Sequence, residues 1–97
     1  MKFVVVEQDR PVVHFQVVLD QGVLEIITNY EVRGSTLTLR EFHCDGLRPG
    51  ALNRAGLNAV ARELMELANV QNLIVYGAVR STGPLKGRRQ RPKRFRR

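Results

Sequence analysis

Tryptophan is absent from this 97-residue chain, cysteine occurs once, and aromatic side chains make up only 6% of it. The lone Cys44 excludes an intramolecular disulfide, so the small disulfide-stapled scaffold of many secreted domains is ruled out. The longest uninterrupted apolar runs are four residues, against the ~20 that a membrane-spanning helix needs. The N-terminus carries one lysine and then Phe3 to Val6, too short for the apolar region of a signal peptide. A cytoplasmic chain that does not enter the membrane is therefore expected. With 43% hydrophobic and 26% charged residues in 11.0 kDa, what remains is one ordinary globular domain with a thin core.

Acidic residues are also missing from one end. Residues 1–85 carry eight basic and nine acidic side chains, whereas residues 86–97 carry eight basic ones and no acid. The formal net charge of +7 thus belongs to the end of the chain. The expected organisation is a single α+β domain over residues 1–85 and a basic C-terminal tail over 86–97. Lys86, Arg88, Arg89, Arg91, Lys93, Arg94, Arg96 and Arg97 would neutralise phosphates and release condensed counterions, which points to a nucleic-acid partner, RNA favoured. An acidic protein is the alternative partner for the same charges. A solvated end that only aids solubility is the plainest explanation of such a tail.

The first half reads as strands. Phe3–Val6 is a short β-branched run. Val12–Leu19, Val23–Arg33 and Thr36–His43 follow, separated by turn residues at Asp20–Gly22 and Gly34–Ser35. Taking Gln21–Gly22 as the first turn sets Leu19 opposite Leu24, Val17 opposite Ile26, Phe15 opposite Thr28 and Val13 opposite Tyr30. Taking Gly34–Ser35 as the next sets Val32 opposite Leu37 and Tyr30 opposite Leu39. Both turns define the same apolar face, so a three-stranded antiparallel meander is the core of the fold. After a Gly/Pro segment, in which Pro49 suits a first helical turn, Leu57, Val60, Ala61, Leu64, Leu67 and Ala68 recur at helical spacing. Asn69 suits the helix end, and Asn72–Val79 reads as a further strand. The expectation is a β-β-β-β-α-β order, with an antiparallel sheet of three to five strands covered on one face by one helix.

The opposite sheet face carries the polar chemistry. In this register His14 aligns with Asn29, and Asn29 with Arg40. A neighbouring row holds Gln16, Ile27 and Phe42, with Glu25 beside Val18. An imidazole for proton transfer and a guanidinium for phosphate charge make His14 and Arg40 the candidate catalytic pair of a metal-independent phosphodiesterase. The same face would equally bind RNA uncut, with Phe42 as a stacking surface. A sheet face that is polar because it meets water accounts for these residues without any site. His43, Cys44 and Asp45 are adjacent, which sends their side chains to alternate faces. With one other histidine and no other cysteine, neither a metal set nor a cysteine nucleophile assembles from sequence. No cofactor is called for.

Beyond the last strand, glycines at 77, 83 and 87 surround Arg80, Ser81 and Thr82 in a segment suited to holding phosphate, without the Gly-Lys-Ser/Thr order of a nucleotide-binding loop. Gly77, Arg80, Ser81, Thr82, Gly83, Gly87, Pro92 and Phe95 together resemble the C-terminal modules of bacterial polymorphic toxins, over about the last third of the chain. Between the two later glycines the chain reads Pro84, Leu85 and Lys86 where such modules usually read Ala-Asn-Pro. Many of these modules cleave RNA, and the resemblance implies that activity. The expected function is nucleic-acid binding through the basic arm and the Gly-rich segment, with toxin-type RNA cleavage and binding of an acidic protein as alternatives. Oligomeric state is left open by the sequence.

Overall fold

A computed structural model describes residues 1–47, 51–77 and 91–97. Four strands come first: β1 (Lys2–Asp9), β2 (Val12–Leu19), β3 (Gly22–Arg33) and β4 (Thr36–Asp45). The helix α1 (Arg54–Ala68) follows, then β5 (Asn72–Gly77) and β6 (Lys93–Arg96). The strands form one sheet in sequence order, β1 to β6. Every neighbouring pair is antiparallel except β4 and β5, which run parallel because α1 carries the chain back between them. The fold is therefore α+β, as the periodicity implies, but with six strands among the described residues rather than three to five. Residues 93–96, read as tail from their charge, build the sixth by pairing with β5. Pro49 lies outside the described residues, and α1 begins at Arg54.

The helix ends where its caps dictate. Asn53 adopts an extended backbone, and its side-chain oxygen accepts the Gly56 amide at 2.8 Å. At the other end Asn69 turns left-handed at φ 55°, and the Val70 amide returns to the Met65 carbonyl at 2.9 Å. Val60, Ala61 and Met65 are buried against the sheet. Two apolar clusters result, one around Leu37, Leu39 and Leu73, the other around Phe15, Val17 and Ile26. Phe42 and Leu64 pack against both. Leu67, expected on the buried stripe, is instead 63% exposed, because one helix is narrower than a six-stranded sheet.

Register departs from expectation in two places. Leu19 pairs with Gly22, so Asp20 and Gln21 make the turn and Phe15 faces Ile26 rather than Thr28. The slip is two residues, which preserves the buried face. The second departure changes faces. Between Ile27 and Asn29 the partner strand advances from His43 to Arg40, one residue more, with Glu41 at φ 51°. This bulge turns Phe42 inward, where it packs on the core. Thr28, 1% exposed, donates its hydroxyl to the Arg40 carbonyl at 2.9 Å and so satisfies an acceptor at the bulge.

Candidate nucleic-acid interface

The helix covers one face of the sheet, and among the described residues no element packs on the other, open face. Its chemistry is divided between two halves. On β2, β3 and β4, His14 pairs across the ladder with Ile27 and Ile27 with His43, while Gln16 pairs with Glu25 and Glu25 with Asp45. The expected His14–Asn29 alignment and the placing of Glu25 beside Val18 are thereby corrected, and the Asn29–Arg40 pairing stands. Phe42 is withdrawn as a stacking surface, since the bulge sends it into the core. The same bulge puts His43 on the open face instead.

In this half, Nε2 of His14 lies 2.6 Å from Oε2 of Glu25, and the Gln16 amide donates to Oε1 at 2.7 Å. A carboxylate only accepts, so His14 carries its proton on Nε2 when neutral. The His14 hydrogen bond, then that of Gln16, holds the Glu25 carboxyl below its ordinary range. His14, Glu25, Ile27, His43, Cys44 and Asp45 line a shallow depression. Cys44 is exposed as a residue, yet partial desolvation of its sulfur, followed by the Asp45 charge, pushes the thiol up. It is thus held in the protonated, poorly nucleophilic form. Among the described residues no three His, Cys, Asp or Glu side chains converge as a metal site, and no helix is long and apolar enough to cross a membrane.

The other half, on β4, β5 and β6, is cationic. Arg40 places its guanidinium 5.2 Å from the centre of the Tyr76 ring. Ile74 faces Arg94 and Asn72 faces Arg96 across the β5–β6 ladder, and Thr38 faces Ile74 on the other side. Arg94 and Arg96 therefore share the open face with Arg40, Tyr76, Thr36 and Thr38. Thr36, Asn72, Ile74, Arg94 and Arg96 border one depression. On β3, Glu31 pairs with Thr38 and Arg33 with Thr36; the two charges are 3.7 Å apart and exposed, so the pair contributes little.

The basic end thus splits its residues by strand alternation. Phe95 faces Leu73 and packs into the core. Arg97 bonds through its amide to the Gln71 carbonyl at 2.8 Å. Its guanidinium reaches the Met65 carbonyl at 3.5 Å, at a helix end with no basic residue of its own. Lys93 pairs with Val75, and Arg91 is exposed ahead of the strand. Arg80, Ser81, Thr82, Lys86, Arg88 and Arg89 lie outside the described residues.

His14 and Arg40 share the open face but are not neighbours: Arg40 stands opposite Asn29, two residues along β3 from the Ile27 that faces His14. Each has a different partner, Glu25 for His14 and Tyr76 for Arg40. Sequence reasoning missed Tyr76 as part of the face. The alternation of Leu73 and Val75 with Ile74 and Tyr76 on β5 carries that signal. Comparison with known protein families, curated proteins and solved structures finds no match for this chain.

Proposed function

We propose that this chain is a small nucleic-acid-binding domain, RNA favoured, which lays a single strand along the β4–β6 part of its open sheet face. The observation that carries this reading is the placement of exposed Arg94 and Arg96 on the same face as the Arg40–Tyr76 pair. Guanidinium groups supply phosphate contacts, and a base stacks on an aromatic ring or on a guanidinium plane. The hydroxyls of Thr36 and Thr38 and the Asn72 amide offer hydrogen bonds to sugars and base edges. Arg80, Ser81, Thr82 and the remaining basic residues would add phosphate contacts from the segment between β5 and β6.

The test is RNA filter binding at several salt concentrations with Arg94→Gln/Arg96→Gln, which keeps Phe95 and Arg97 and so keeps the strand's packing. Affinity falls, and the slope of log affinity against log salt shrinks by about 0.7 for each lost single-strand contact. An unchanged slope overturns the reading.

One observation favours the second reading, metal-independent RNA cleavage. His14 is oriented by Glu25 at 2.6 Å, with its Nδ1 left as the basic nitrogen, and His43 lies on the far side of Ile27 on the same face. Two imidazoles could divide the roles of base and acid. Cleavage of RNA but not DNA that survives chelator and is lost in His14→Ala supports it, and intact RNA at every pH removes it.

A further inference from the structure

Among the described residues the two outer strands of the sheet, β1 and β6, are unlike. β6 carries Lys93, Arg94 and Arg96, all exposed, and charged side chains on an outer strand discourage pairing with other chains. β1, outermost on the other side among the described residues, carries four consecutive apolar residues, Phe3 to Val6, with Val5 62% and Val6 50% exposed. On the helix side, Phe3 and Val5 continue into an apolar groove of about 260 Å3 whose far wall is Leu64, Leu67 and Ala68.

We infer that β1 pairs antiparallel with the β1 of a second copy of this chain, in the register that sets Lys2 against the partner's Asp9. The reason lies in the faces. Lys2 and Val4 pair with Val18 and Gln16 of β2, and so point to the open side; Phe3 and Val5 pair with Val17 and Phe15, and so point to the helix side. Val6 is an extra residue, because β1 runs from Val5 to Glu7 while β2 runs only from Phe15 to His14. Beyond it the alternation is reversed: Glu7 and Asp9 lie on the open side, and Gln8 on the helix side. In the stated register Lys2 meets Asp9 and Val4 meets Glu7 on the open side, Phe3 meets Gln8 on the helix side, and Val5 meets Val6 at the two-fold axis. No pair whose faces the ladder to β2 fixes mixes them, and the one remaining pair sets Val5 against the bulged Val6. Shifting the partner by one residue sets Lys2 against Gln8, or Phe3 against Asp9, and opposes one face to the other. The stated register also brings together the cation and the acid at opposite ends of the strand, twice per dimer by symmetry. The bulge is what makes the strand self-complementary.

Sedimentation equilibrium across a wide concentration range tests the pairing, with circular dichroism to confirm the fold. The wild-type chain is expected to dimerise. Lys2→Glu replaces both attractive contacts with repulsive ones and is expected to weaken the dimer at least about tenfold. Lys2→Glu/Asp9→Lys restores the opposition and is expected to recover most of the loss. Val6→Lys, which puts two cations at the two-fold axis, is expected to give a folded monomer. A wild-type monomer at all concentrations overturns the proposal. So does a dimer that Lys2→Glu leaves intact, or one that the charge exchange fails to rescue.

Discussion

Thr28 lies where the face of the sheet is decided, and replacing it with valine tests the account of the bulge. Threonine and valine have nearly the same shape and the same β-branched preference for strands, so Thr28→Val changes little except the hydroxyl. That hydroxyl is buried, on a residue 1% exposed, and bonds to the Arg40 carbonyl at 2.9 Å, with the Asn29 carbonyl at 3.3 Å. Losing it removes a net favourable bond and leaves a buried acceptor without that donor, which costs about 1–3 kcal/mol. The added methyl group returns somewhat less than about 1 kcal/mol through its burial. The expected net loss is about 1–2 kcal/mol, which lowers Tm by about 5–15 °C in a domain of this size. Urea and thermal unfolding would measure it, and an unchanged urea m-value would show that the denatured state is not the cause. If Thr28→Val is as stable as wild type, the hydroxyl is not what holds the bulge, and the placement of Phe42 and His43 needs another explanation.

Two further outcomes follow from the site and the last strand. Glu25 has a lowered pKa in the folded state, so it contributes stability that is present above its unfolded value and is lost as pH falls through the lower folded value. His14→Ala removes the largest cause, so the Glu25 carboxyl should titrate closer to its ordinary range by NMR; an unmoved titration would refute the pairing. Arg97→Ala should cost about 0.5–1 kcal/mol through the C-terminal end of α1, and Phe95→Ala, at a half-buried position, about 2 kcal/mol. Equal stability of both variants with wild type in urea unfolding would show that β6 does not help hold the domain together.

The buried face was legible because period-two alternation survives a two-residue error: Asp20–Gln21 and Gln21–Gly22 as turns differ in register but bury the same side chains. Gly34–Ser35 was placed correctly, and so were Asn69 as the helix end and the facing of Asn29 and Arg40. The bulge was not legible. Glutamate has no special tolerance for positive φ, so nothing at Glu41 announced the extra residue that exchanges Phe42 for His43 on the open face. β6 was hidden by its own charge, since Lys-Arg-Phe-Arg reads as a solvated run unless the single aromatic is taken as the inward member of an alternating strand. The pairing of His14 with Glu25 depended on the two-residue register difference and could not be reached without it.

The β6 segment places Lys93, Arg94, Arg96 and Arg97 within five residues, about 13 Å of extended chain, little more than one Debye length at 0.1 M salt. Held on the sheet by Phe95 and by its ladder to β5, this strand keeps Arg94 and Arg96 on the same face as Arg40, a like-charge repulsion that detachment would relieve. Added salt screens that repulsion and should fasten the strand more firmly, which amide hydrogen exchange on β6 would register as slower. The same salt weakens any contact that Arg94 and Arg96 make with phosphate. Ionic strength therefore drives strand attachment and anion capture in opposite directions, and a bound polyanion, by neutralising the strand in place, would do for its attachment what salt does without competing for the site.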